Sequence, residues 1–202
     1  MKQMLTAFAG LAMIAAPAAA APVVGQAAPN FRLNDADGRV VSLSDFRGKP
    51  VVLEWNNPGC PFVKKHYGSG NMQKTQAAAR AAGVVWLSVN SSAPGEQGHM
   101  NGAEAKAFVA SAKAQPTAYL LDPKGVVGRG YDAKTTPHMY IVDAKGTLVY
   151  AGGIDDKPTA NPADVNGARN HVLAAISELK AGKAVSVATS RPYGCNVKYA
   201  KG

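Results

Sequence analysis

The chain has 202 residues, 47% of them hydrophobic, with a formal net charge of +9 and two cysteines. That length suits one domain with a proper core and is short for two. The lysines and arginines are scattered, with no basic run of five, which argues against a nucleic-acid-binding surface and leaves only a general attraction for anionic partners.

In chain order, Met1–Lys2–Gln3 carries one positive charge, Leu5 to Ile14 is apolar, and Ala15 to Ala21 is almost pure alanine. A charged start, a short apolar run and an A-x-A site form the pattern of a secretory signal. The run is too short and too poor in large residues to span a bilayer. Cleavage is expected after Ala20, since Pro22 should not stand at the cut. Residues 1–20 are then a signal peptide, and residues 21–202 form a domain without a membrane span in a periplasmic or secreted setting. Loss of Lys2 with the signal lowers the charge by one, to +8.

Leu33 to Phe46 reads as a hairpin turning at Asn34–Asp35–Ala36–Asp37–Gly38. Pro50 to Trp55 is a short apolar strand of the kind buried on both faces, ended by Asn56–Asn57–Pro58–Gly59. From Pro61 the pattern is helical to about Ala82, with a kink at Gly68–Gly70 and Gly83 as the C-terminal stop. Val84 to Val89 is a second buried strand, Asn90 to Gly102 a polar loop and Ala103 to Ala114 a helix. Tyr119 to Leu121 is a strand, and Val126 to Tyr131 a short helix. Met139 to Val142 and Thr147 to Ala151 pair as a hairpin, and Ala163 to Ala181 has helical spacing of Val165, Ala168, Val172, Ala175, Ile176 and Leu179. This order implies a parallel half joined to an antiparallel half. A Pro/Gly-punctuated tail from about residue 183 carries Arg191–Pro192–Tyr193–Gly194–Cys195 and is expected to be mobile.

Cys60 stands where a buried strand turns into a helix, with Pro61 at the first helical position. Free N–H groups and the positive end of the helix dipole stabilise a thiolate there. Lys64, Lys65 and His66 add positive charge within two turns, so the thiol should ionise below its ordinary value of roughly 8.5. The competing reading is an inert core cysteine.

The strand–Cys60–Pro61–helix turn, with Thr135–Thr136–Pro137 leading into a strand, resembles the thioredoxin-like superfamily over nearly all of Val24 to Leu179, in its redoxin (AhpC/TSA, peroxiredoxin-like) branch. The resemblance implies an α/β fold with a mixed central sheet flanked by helices and preceded by the N-terminal hairpin. It implies a cis peptide before Pro137, facing Cys60, and free backbone groups at Thr136 for an extended substrate. Two departures stand out. Val63 replaces the second cysteine of C-x-x-C, and Leu53 and Asn57 replace the proline and threonine of the peroxidase motif P-x-x-x-T-x-x-C; Arg129 is the nearest candidate for its arginine. The expected function is an exported thiol–disulfide oxidoreductase with weak peroxidase activity or none, needing no cofactor, and acting on protein thiols or disulfides or on a small thiol or peroxide. Cys195 is a resolving thiol, one end of a structural disulfide worth roughly 4–5 kcal/mol on the loop-entropy model, or a thiol independent of Cys60. The rival function is a non-catalytic module with that disulfide, binding a partner or copper. His66, His99, His138 and His171 have no preformed metal spacing, and the second cysteine of copper-delivery relatives is absent.

Overall fold

Alternating apolar residues on the short runs build one mixed sheet, in a computed structural model that describes residues 21–201. The signal assigned to residues 1–20 lies outside the described residues. The N-terminal hairpin is β1 (Arg32–Asp35) and β2 (Val40–Ser42). Its expected last residues, Leu43–Phe46, form a 3-10 turn instead. The Asp45 carboxylate accepts the Ser42 N–H at 2.8 Å and ends the strand as a cap does.

β3 (Val51–Trp55) is buried along its whole length. It leads into α1 (Pro61–Gly68) and α2 (Asn71–Ala81), which are separate helices divided at Gly70, where φ is +76°. Then come β4 (Val85–Asn90), α3 (Gly102–Ser111), β5 (Ala118–Leu121), the short α4 (Val126–Gly130), β6 (Thr135–Thr136), β7 (His138–Val142) and β8 (Leu148–Gly152). The strand order is β2-β1-β5-β4-β3-β7-β8. β3, β4 and β5 are parallel, β7 extends the sheet antiparallel to β3, and β8 pairs antiparallel to β7. This is the expected mixed sheet.

Strand alternation divides the core between the two faces. Val51, Leu53 and Trp55 pack with Leu120, Tyr131 and Tyr140 on one side. Val52 packs with Cys60, Met72, Trp86, Ile141 and Val172 on the other. The 19-residue helix expected from Ala163 is shorter and interrupted. Pro162–Val165 is a 3-10 turn, Gly167 adopts φ +79°, and Asn170 caps α5 (His171–Lys180) by accepting the Leu173 N–H at 2.9 Å. Val165 and Ala168 therefore lie outside that helix, because a left-handed glycine and an asparagine cap restart the chain between them.

Past α5 the tail runs back along β8. Thr189 bridges Ala151 in parallel, and the tail ends in β9 (Cys195–Asn196), which pairs with β6 as a second, two-stranded sheet.

Candidate active site

The turn at the end of β3 is self-bonded. The Asn57 carbonyl accepts the Cys60 N–H at 3.0 Å, while its side-chain oxygen accepts the Gly59 N–H at 2.9 Å. Asn57 Nδ2 donates to Gln97, so this side chain has no free donor for a ligand. Cys60 is then the extended N-cap residue of α1 and Pro61 its first helical residue, as the sequence implied. The sulfur is fully buried and donates to the Thr136 carbonyl at 3.0 Å. The Thr136–Pro137 peptide is cis.

Thr136 is not free for a substrate. Its antiparallel partner in β6–β9 is Cys195, so the tail occupies the backbone edge expected to receive an extended chain. The same pairing sets the two sulfurs against each other, both as free thiols. Burial pushes the Cys60 thiol up, but the Cys195 thiol, the backbone amides of Val63 and Cys195 and the Thr136 side chain together outweigh it and hold Cys60 below its usual range. Cys195 moves the other way, to about 11, through burial first and then its hydrogen bond and charge interaction with Cys60. A helix-capping thiol held low therefore faces a second thiol held high.

Residues 24–151 match the AhpC/TSA family. The chain belongs to this family. A stretch of 64 residues is 55% identical to chloroplastic peroxiredoxin Q of Triticum aestivum, covering 30% of either chain; the peroxiredoxin Q relatives are thus matched over less than a third of their length. A hypothetical protein from Sinorhizobium meliloti superposes with a TM-score of 0.72 at 24% identity, covering 91% of this chain and 98% of that one, and shows the same fold. A Chlorobium tepidum structure assigned as thiol:disulfide interchange protein DsbE is 28% identical with a TM-score of 0.54, covering 65% of this chain and 85% of its own.

Several expected supports of this AhpC/TSA site point elsewhere. Lys64 is exposed. Lys65 is buried, donating to the Lys157 carbonyl at 2.7 Å with its Nζ 3.8 Å from Asp155. His66 is buried and held neutral, its pKa lowered to about 4 chiefly by burial. Its Nε2 meets the Tyr193 hydroxyl at 3.1 Å, and Nδ1 meets Asn71 at 2.8 Å. None of Lys64, Lys65 and His66 is among the main groups that lower Cys60, which corrects the expectation that their charge leads the shift. The Arg129 guanidinium donates to the Lys124 and Ala200 carbonyls and lies over the Tyr199 ring at 4.5 Å, away from any role at the thiol. His138 meets the Tyr140 hydroxyl at 3.1 Å, and among the described residues no three His, Cys, Asp or Glu are grouped to hold a metal.

The tail is also not the loose segment expected from its prolines and glycines. The Ser190 hydroxyl accepts the Gly153 N–H at 3.0 Å and pairs with Tyr150 at 2.7 Å. Tyr193 donates to buried Asp155. Beyond Cys195, Val197 N–H donates to the Lys134 carbonyl, the Lys198 carbonyl accepts the Ala93 N–H, and the Tyr199 hydroxyl donates to the Ala133 carbonyl. The segment is pinned on both sides of the cysteine.

Two buried groups of the site region escaped the sequence reading. Glu54, inside an otherwise apolar strand, accepts from Asn56, Tyr67, Trp86 and Ser88 at 2.7–3.1 Å, with Gln76 at 3.4 Å. Tyr193 joins Lys65, His66 and Asp155 in one buried cluster. A lone carboxylate in an apolar run was the available signal for the first; the second spans three separate segments and had none.

Proposed function

We propose that this protein is an exported thiol–disulfide oxidoreductase of the redoxin type, with Cys60 as nucleophile and Cys195 as the resolving thiol. The observation that carries this reading is the pairing of Cys195 opposite Thr136, whose carbonyl receives the Cys60 thiol. A lowered thiol attacks and a raised one waits protonated, which is the division of labour that exchange through a mixed disulfide requires. Membership of the AhpC/TSA family and likeness to a structure assigned as a thiol:disulfide interchange protein support it.

Weak peroxide reduction goes with this reading. Leu53 is core, Asn57 is committed to Gln97 and Arg129 to the tail, so no such donor is aimed at a peroxide beside Cys60. Export rests on the leader at the start of the chain. The test is a redox titration followed by peptide mass mapping. The expected outcome is a reversible Cys60–Cys195 disulfide in the wild type and mixed disulfides trapped at Cys60 in Cys195→Ser. A pair that resists reduction below about −300 mV, as structural disulfides of secreted proteins do, would end it.

A further inference from the structure

Cys60 is fully buried, yet exchange chemistry must bring a foreign sulfur against it. What closes the site is β9, seated on β6 in the register Thr135 opposite Asn196 and Thr136 opposite Cys195. A polypeptide disulfide approaching in extended form needs the same backbone edge of β6, since main-chain pairing is how extended segments dock on a free strand. We propose that β9 is a built-in occupant of that edge, so that Cys60 selects low-molecular-weight disulfides over polypeptide ones. This inference rests on the redox reading of the Cys60–Cys195 pair and names its substrate class.

Three observations fix the occupant in place. Gly194 lies so close to β6 that a Cβ there would stand 2.1 Å from the Thr136 carbonyl oxygen, and its φ of +140° is itself a glycine conformation. Tyr193, one residue earlier, is tied by its hydroxyl to Asp155 and His66, both buried. After Cys195, the Val197, Lys198 and Tyr199 contacts hold the other side. Admitting a polypeptide strand means breaking these ties together, whereas a small molecule needs only a local displacement. A cleft of about 590 Å³ lies alongside, lined by Phe62, Thr135 and Gly194, the near neighbours of Cys60, Thr136 and Cys195. Neither sulfur lines it, but it gives a compact ligand a berth one or two residues from each, with only a local shift at Gly194 separating it from Cys60.

The chemistry balances with the disulfide as the only oxidant. The Cys60 thiolate attacks one sulfur of RS–SR, forming a Cys60–SR mixed disulfide and releasing RS⁻. The Cys195 sulfur then attacks Cys60 Sγ, its proton leaving with the second RS⁻. Two protein thiols are oxidised, one external disulfide is reduced, and two RSH carry the protons.

The experiment measures mixed-disulfide formation at Cys60 by quenched mass analysis in a Cys195→Ser chain, with oxidised glutathione and with insulin as the two disulfides. Glutathione disulfide is expected to react on the order of tenfold faster, because the closed strand limits only the larger substrate. Adding Gly194→Ala, which cannot keep β9 seated, should collapse that ratio by raising the insulin rate. Tyr193→Phe keeps the ring and removes the tie, and should move the ratio the same way if Gly194→Ala proves unfolded by circular dichroism. An insulin rate equal to the glutathione rate before any strap substitution overturns the proposal, as does a ratio unmoved in both folded variants. No reaction with either disulfide overturns the redox reading as well.

Discussion

The two sulfurs of the site are pulled apart by the same contact. The Cys195 thiol favours the Cys60 thiolate, while the charge it favours makes Cys195 harder to ionise. Removing either partner should therefore move the other in a known direction. In Cys195→Ala the midpoint of Cys60 alkylation against pH is expected to rise, because the largest group opposing burial is gone. In Cys60→Ser the Cys195 midpoint should fall from about 11. Lys64→Ala should leave both profiles in place, since that ammonium is exposed and is not among the main groups acting on Cys60. A Cys60 midpoint that follows Lys64 and ignores Cys195 would refute this assignment. The sequence made the placement of Cys60 legible through its strand–Cys–Pro–helix setting and made the Thr136–Pro137 turn legible through family likeness. It left the partner open, because what places Cys195 is strand pairing across 59 residues, and no local spacing encodes that.

Among the elements, β3 shows how a strand can look apolar in sequence and still be organised by a charge. Glu54 sits between Leu53 and Trp55 and collects donors from α1, α2, β4 and the turn that leads to Cys60. Tyr67, one of those donors, has its phenol pushed well above the usual range, first by burial and then by the Glu54 charge. Glu54→Gln would turn an amide donor toward this ring of donors. An expected loss of about 2–4 kcal/mol follows from hydrogen bonds to a buried charge, measurable by urea unfolding. An unchanged midpoint would mean the network is not what fixes α1 against the sheet. The buried strands were readable because continuous apolar runs leave few alternatives. The break before α5 was missed for a local reason. Val165, Ala168 and Val172 keep helical spacing, but Gly167 and Asn170 act through backbone angle and capping, which a hydrophobic pattern does not register.

For the molecule as a whole, two buried imidazoles set the response to acid. His66 on α1 and His138 on β7 each have a pKa lowered from 6.5 to about 4, mainly by burial. The folded chain keeps both neutral down to about pH 4, whereas the unfolded chain protonates them near 6.5. The unfolded state then binds more protons inside that window, so their contribution to stability is complete above pH 6.5 and is lost as pH falls toward 4. At pH 5 each should cost about 2 kcal/mol relative to neutral pH. His66→Gln is expected to remove close to half of the slope in unfolding free energy between those pH values. A slope that stays the same would place the acid sensitivity elsewhere. The tail that carries Cys195 has a second consequence at this scale. β8 is the last strand of the main sheet, and the bridge from Ala151 to Thr189, with hydrogen bonds to Ala188 and from Ser190, covers its outer side. The opposite border, β2, is only three residues long. A bare β8 would offer unpaired N–H and C=O groups to another chain. A protein ending at residue 183 should therefore self-associate with rising concentration in light scattering while the full chain stays monodisperse, so the segment that brings the second sulfur to the site also guards the sheet against sticking to its own copies.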